Sequence, residues 1–197
     1  MEARERVIEN FSESIRIIQE CADSLALGIE SAANMMTRSI LNENKVLTCG
    51  NGGSSADAQR FAAIMLNRYE VPRPGLPCMA LNANSTTLTA IANDYQFSDI
   101  FSKQIRALSQ SGDVLLAITA GGESHNIIHA IDAAHDRNVS VVALTGRDGG
   151  QVADNLDVND IEIRVPSWST SIIKEIQLMV IHNICDLIDR QLLGQQT

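Results

Sequence analysis

Apolar residues recur at helical spacing through the first forty or so positions. Val7, Phe11, Ile15 and Ile18 make one stripe, and Leu25, Ile29, Ala32, Met36 and Ile40 make a second, each matching the three- and four-residue steps of a buried helix face. Two stripes predict two amphipathic helices in succession, a helical hairpin over residues 1–43. Beyond it the period changes. The runs KVLTCG (45–50), CMALN (78–82), DVLLAIT (113–119), SVVALTG (140–146) and IEIRVP (161–166) are too apolar for half-exposed strands, so a parallel sheet covered on both faces is expected. Helical segments alternate with them at about 55–69, 86–109 with a break near Tyr95, 124–137 and 150–155, and a long helix runs from Ser169 to Leu193. This alternation predicts a doubly wound α/β sandwich of three layers with about five parallel strands, flavodoxin-like, preceded by the hairpin. Residues 44–197 then form one domain, with the hairpin and its Met35 and Met36 suited to oligomerisation. Ligands in such sheets bind beyond the carboxyl ends of the strands.

Charge narrows the choice of ligand. The 15 Lys and Arg against 24 Asp and Glu leave a net charge of −9, a field that repels nucleic-acid backbones and anionic membranes. A small phosphorylated ligand stays open, because clustered backbone N–H groups hold an anion whatever the global charge. Cys21, Cys49, Cys78 and Cys185 form no C-x-x-C pair and read as buried thiols of a reducing compartment. The start MEARERVIENFSES has no apolar core, and runs such as Val114–Ile118 are too short to span a bilayer. A cytoplasmic protein is expected.

Two strand-end loops carry the candidate chemistry. Cys49-Gly50-Asn51-Gly52-Gly53-Ser54-Ser55 follows the first strand and opens a helix, and Thr119-Ala120-Gly121-Gly122-Glu123-Ser124 does the same after the third. Glycines permit tight turns and hydroxyls meet free N–H groups. Helix N-termini converging at one sheet edge favour an anion. Neither loop has the Walker lysine or a G-x-G-x-x-G pattern. Glu123 sits awkwardly beside a phosphate and is expected to turn outward toward the helix dipole. Asn93 and Asp94 end a helical stretch and read as caps or as groups for sugar hydroxyls. His125 and His129 share a helix face at metal-ligand spacing but lack a third partner, and His135 suits a helix C-terminus. His182 lies in an apolar run with Glu175 seven residues back, either a satisfied core pair or an acid/base element.

In order along the chain, CGNGGSSADAQRF, LTAIANDYQFSDIFSKQIRAL, GDVLLAITAGGES, VVALTGRDGG and IEIRVPS resemble the sugar-isomerase (SIS) domain of the phosphoheptose isomerase family. Members isomerise sedoheptulose 7-phosphate for surface polysaccharides or resemble DiaA, a bacterial protein that binds the replication initiator DnaA. The resemblance implies the SIS fold and a homotetramer with sites between subunits. It also implies a phosphosugar pocket in which Asn51, Gly52, Gly53 and Ser54 line the wall. Asn93 and Asp94 take sugar hydroxyls there, and Thr119, Ala120, Gly121 and Ser124 receive the phosphate. His182 matches the family's acid/base and zinc-binding histidine.

The departures from that family weigh on activity. Where the isomerases carry a His and then, four residues on, the Glu that moves the proton and helps hold zinc, this chain has Arg60 and Ile64. Lys174 replaces a Gln on the last helix, and Thr119 and Gly121 stand where serines are usual. Of the implied zinc ligands only His182 remains, so no metal is expected unless the chain is an isomerase. General acid/base groups typically contribute about 10² to 10⁴-fold, and isoleucine has no titratable atom. Phe61-Ala62-Ala63, the FSESI start and the CDLIDRQLL ending resemble DiaA. The favoured reading is a DiaA-like, non-catalytic scaffold that keeps a phosphosugar pocket and binds DnaA. The alternative is a D-sedoheptulose 7-phosphate isomerase making D-glycero-D-manno-heptose 7-phosphate for lipopolysaccharide core synthesis, using His182 and a substitute base such as Asp94, Glu123 or Glu175. A third possibility is a different phosphosugar.

Overall fold

The computed structural model describes residues 2–194. It opens with helix α1 (Ala3–Leu41), followed by β1 (Val46–Gly50), α2 (Gly53–Leu66), β2 (Cys78–Ala80) and α3 (Ser85–Asp94). A 3-10 turn (Phe97–Asp99) leads to α4 (Ser102–Leu108), β3 (Val114–Ile118), α5 (His125–His135) and β4 (Ser140–Gly146). The chain then forms α6 (Gly150–Asp154), β5 (Ile161–Val165) and α7 (Thr170–Leu193). All strands run parallel in the order β2-β1-β3-β4-β5. The order reverses between β1 and β3, which places a crevice at their carboxyl ends.

The expected layering holds, for a reason visible in β3. Alternate side chains point to opposite faces. Val114, Leu116 and Ile118 join the cluster under α1, α2 and α7, while Leu115 and Ala117 join the cluster under α4 and α5. Both faces are dry, so the strand reads as an unbroken apolar run. The helical stretch expected over 86–109 does break at Tyr95, where the backbone leaves the helical region.

The N-terminal hairpin does not form: residues 3–41 make one helix of 39 residues, about 58 Å long at 1.5 Å per residue. No Gly or Pro separates the two stripes. Ile17, Cys21 and Leu25 are buried at four-residue steps and run straight into Ala32, Ala33 and Met36. The earlier stripe of Val7, Phe11 and Ile15 is instead left 53%, 68% and 54% exposed. Gly28 is kept within this helix by close approach to the sheet, since a Cβ there would sit 3.3 Å from Ile163 Cγ1.

All four cysteines are free and buried, and burial pushes the thiols of Cys49 and Cys185 up to about 12. Such thiols stay protonated and unreactive. Among the described residues no helix is long and apolar enough to cross a membrane.

A buried ion pair joins the end of α2 to α7. Arg73 Nε donates to Asp189 Oδ1 at 2.5 Å, with the side chains only 1% and 7% exposed. The same guanidinium donates to the carbonyls of Ile64 (3.1 Å) and Met65 (2.8 Å), capping the last turn of α2. Arg73→Ala leaves Asp189 buried without its cation and is expected to cost about 3–5 kcal/mol, whereas replacing both partners with leucine recovers most of that loss. Denaturant unfolding of the single and double variants checks this.

Candidate functional site: a strand-end cavity between two helix N-termini

The first and third strands end side by side, with Gly50 opposite Ile118 in the sheet register. Each feeds a loop and then a helix that starts at the same edge. Ser54 N and Ser55 N turn back to the carbonyls of Asn51 and Gly52, winding the first turn of α2 with no side-chain cap. In the second loop Gly122 N donates to Thr119 Oγ1 at 3.2 Å. Gly122 has φ +72, and a Cβ on it would lie 1.9 Å from the carbonyl oxygen of Gly149, so no other residue fits. Helix α5 also lacks a side-chain cap at Ser124. Both helices thus direct their positive dipole ends to one place.

Side chains tie the loops together. The amides of Asn51 and Asn126 donate to each other's oxygens at 2.8 Å in both directions. Gln177, fully buried on α7, donates to the carbonyls of Thr119 (2.8 Å) and Thr145 (3.3 Å) at the ends of β3 and β4. Lys174, one turn earlier, donates from Nζ to Gln177 Oε1 at 2.9 Å and to Ser54 Oγ, and lies 3.5 Å from Asp57 Oδ2. Burial pushes this ammonium below its ordinary 10.5, against the pull of the Asp57 carboxylate.

These groups enclose a cavity of about 270 Å³ walled by Asn51, Gly53, Ser54, Ile118, Thr119, Ala120, Gly121, Ser124, Thr170 and Lys174. A second cavity of about 610 Å³ adjoins it through Asn51 and Ser124, and includes Gln96, Phe97, Ser98, Glu123, His125 and His129. The first suits a phosphate-sized anion with its near atoms, and the second offers polar groups for the rest of a ligand.

Seven residues expected at a phosphosugar pocket therefore converge: Asn51, Gly53, Ser54, Thr119, Ala120, Gly121 and Ser124. Gly52 lies beside them, exposed, as the N-cap of α2. Three others stand apart from this wall. Asn93 and Asp94 are exposed at the end of α3, where Asn93 Nδ2 donates to Asp94 Oδ1 at 3.0 Å. His182 is half-buried, two helical turns beyond Lys174 on α7, with its ring 6.0 Å from that of Tyr69. Glu175 accepts from Ser14 Oγ at 2.8 Å, so its hydrogen bond goes to α1 rather than to His182. Glu123 turns to α6, accepting from the side chain (2.6 Å) and backbone (3.4 Å) of Gln151. His129 faces Asp99 at 3.4 Å, and His135 bonds Asp160 at 2.7 Å.

Lys174, which as a cation suits a sugar oxygen or a phosphate, is joined at the site by Thr170 and the bracing pair Asn126 and Gln177, which the sequence motifs do not mark. The signal was present in Ile173-Lys174-Glu175-Ile176-Gln177, where a cation and an amide three apart interrupt a helix otherwise apolar on its inner face.

Zinc does not fit this wall. None of the described residues lining the cavity is a His, Cys, Asp or Glu, Arg60 is exposed, and Ile64 packs against the core. Among the described residues the group of three metal-capable side chains is His135, Asp157 and Asp160, at the opposite, amino edge of the sheet.

Fold and site together define a doubly wound α/β protein with a polar strand-end cavity between the starts of two helices. The family model described as the SIS domain matches residues 9–146, and the chain belongs to the SIS-domain family on its phosphoheptose isomerase branch. It is 53% identical over 191 residues to a phosphoheptose isomerase of Shewanella frigidimarina, covering 97% of each chain. It is 52% identical over 194 residues to one of Chromohalobacter salexigens, covering 98% of each. Among solved structures, phosphoheptose isomerase GmhA from Neisseria gonorrhoeae superposes with a TM-score of 0.91 at 46% identity, covering 95% of this chain and 99% of that one. The phosphoheptose isomerase of Francisella tularensis gives 0.94 at 42% identity, covering 96% and 100%.

The lowered Lys174 pKa sets a testable pH dependence. Between its folded value and 10.5 the unfolded chain binds more protons, so deprotonating Lys174 stabilises the fold as pH rises through that window. The stability difference between the unaltered protein and Lys174→Met is expected to move in favour of the former over the same window, read by denaturant unfolding at several pH values. Calorimetry near neutrality is expected to show phosphate-ligand affinity falling by about ten-fold or more in this variant, the loss of one charge-assisted contact.

Proposed function

We propose that this chain holds a phosphorylated seven-carbon sugar in the strand-end cavity and interconverts sedoheptulose 7-phosphate with its aldose isomer, D-glycero-D-manno-heptose 7-phosphate, a precursor for lipopolysaccharide core. Two supports combine. Relatives over half identical along nearly the full chain carry the name phosphoheptose isomerase, and the N-terminal ends of α2 and α5 converge with Lys174 on one cavity. That convergence is the observation that carries the reading. Aldose–ketose exchange moves a proton between neighbouring carbons and develops negative charge on an oxygen. Lys174 is the titratable side chain on the cavity wall, an ammonium placed where charge would develop on a sugar oxygen. On this reading its positive charge, without zinc, steadies the developing oxyanion.

A second reading rests on Ile64. Its side chain packs against the core under α2 and α7, at the position where the family resemblance places the proton-carrying Glu. With that carrier replaced, the chain keeps its ligand and serves as a DiaA-like scaffold that holds DnaA. Either role belongs in the cytoplasm, where four free thiols persist.

Purified protein incubated with sedoheptulose 7-phosphate, with and without added zinc, and followed by NMR separates the two. The aldose product is expected to accumulate without zinc and to slow sharply in Lys174→Met. Absence of turnover under both conditions, in protein that still binds the sugar phosphate and captures purified DnaA, replaces the first reading with the second.

Self-association is part of the same proposal. Val7, Phe11 and Ile15 lie exposed along one side of α1, continuous with an apolar groove of about 320 Å³ between α1 and α7 that includes Ile18, Leu25, Ile29, Ile176 and Val180. A second copy of the same helix pair would cover both. Light scattering is expected to give a tetramer that Phe11→Glu splits into smaller species; a monomer mass for the unaltered chain refutes this.

A further inference from the structure

We infer that Arg147 is a phosphate-clamping residue, a second cation that this chain sets over the loop of Thr119 to Ser124. The inference rests on the sugar-phosphate reading of the cavity and assigns a residue that neither sequence pattern nor cavity wall had supplied.

Arg147 follows the last residue of β4, at the carboxyl edge where β1 and β3 also end. Its φ is +56, a left-handed backbone that a long side chain adopts at a cost and that clusters at ligand-binding positions. The conformation is fixed from both sides: Arg147 N donates to the carbonyl of Ser167 at 3.0 Å, and Gly149 N closes the turn onto Gly146 at 3.0 Å. The backbone thus aims the side chain back across the sheet edge. Its guanidinium lies over Gly121, with Nη1 at 3.4 Å and Cζ at 3.7 Å from where a Cβ on that glycine would be.

Gly121 is itself on the cavity wall. A Cβ there would be in ordinary van der Waals contact with the guanidinium, which places the arginine head directly over this loop. Where the family resemblance places a serine hydroxyl, this chain presents up to five fixed N–H donors and a full positive charge. Among the described residues the Arg147 guanidinium has no hydrogen bond or ion pair. Arg147 is exposed, and in a chain of net charge −9 its unpaired guanidinium over the loop that opens α5 leaves a cation free to meet an anion. Lys174 approaches from α7 and Arg147 from β4, so a phosphate in the cavity meets a cation from each of two elements.

Calorimetry with inorganic phosphate and with sedoheptulose 7-phosphate tests this on the unaltered protein and on Arg147→Gln, Arg147→Lys and Arg147→Gly. Affinity for both probes is expected to fall about ten-fold or more in the Gln and Gly variants, with the Lys variant in between. The thermal midpoint of Arg147→Gly is expected to equal or exceed that of the unaltered protein, because glycine accepts the left-handed backbone freely; weaker binding in a protein no less stable separates clamping from a structural role. If turnover is observed, KM is expected to rise with kcat nearly unchanged. Affinities equal across all four proteins overturn this role for Arg147 and leave the cavity reading intact. An unaltered protein that binds neither probe overturns the cavity reading, and the clamp with it.

Discussion

The buried amide of Gln177 holds the ends of two strands to one helix. It donates to the carbonyls of Thr119 and Thr145, the points where β3 and β4 leave the sheet and where ladder hydrogen bonds run out. A fully buried amide is costly unless its polar atoms are matched, and here the remaining oxygen accepts from Lys174. The ammonium then reaches Ser54 at the start of α2. One short chain of hydrogen bonds therefore fixes the loop after β1, the loop after β3 and the exit of β4 relative to one another. The cavity exists because these three points cannot separate independently.

The price of that arrangement falls on Lys174, whose charge is partly stripped of water. A structure selected for stability alone would have an apolar residue at this position, since a desolvated cation is rarely the cheapest way to fill space. Its place beside the start of α2 suits an anion that would complete the set. The same electrostatic logic explains Glu123, which could have opposed a phosphate but instead caps α6 through Gln151. Negative charge elsewhere on the chain keeps the overall field unfavourable to polyanions, while this edge collects local positive potential.

Much of this was legible in sequence, and the parts that were not share a cause. The strand runs were readable because burial on both faces leaves them almost purely apolar, and SVVALTG coincides with β4 residue for residue. The glycine loops were readable because tight strand-to-helix turns need those residue types. The expected hairpin is one helix because the change of stripe marks a change of exposed face and not a chain reversal. Ile17, Cys21 and Leu25 continue the inner face without a break, and the outer stripe of Val7, Phe11 and Ile15 faces away from this chain's own core. The sequence offers Lys174 as a lost zinc ligand and as a cation for a sugar oxygen or phosphate, but not its partners Ser54 and Asp57, which lie more than a hundred positions away. Asn93, Asp94 and His182 were assigned by resemblance, and the fold of one chain leaves them off the cavity wall.

The seam between α2 and α7 shows how the site has been rebuilt. At one end Lys174 meets Ser54 and Asp57; at the other Arg73 meets Asp189 and the last carbonyls of α2. Between these two cations Phe61, Ile64 and Met65 pack against the residues of α7 in one hydrophobic cluster. The face of α2 turned to α7 is apolar between those anchors, and burying charged groups in that cluster would cost several kcal/mol per unpaired ion. Isoleucine at position 64 is consistent with its surroundings and does not read as an isolated loss. Lys174 is the titratable side chain of that cavity wall, so the proposed proton transfer and the proposed anion contact would both be read at a single nitrogen.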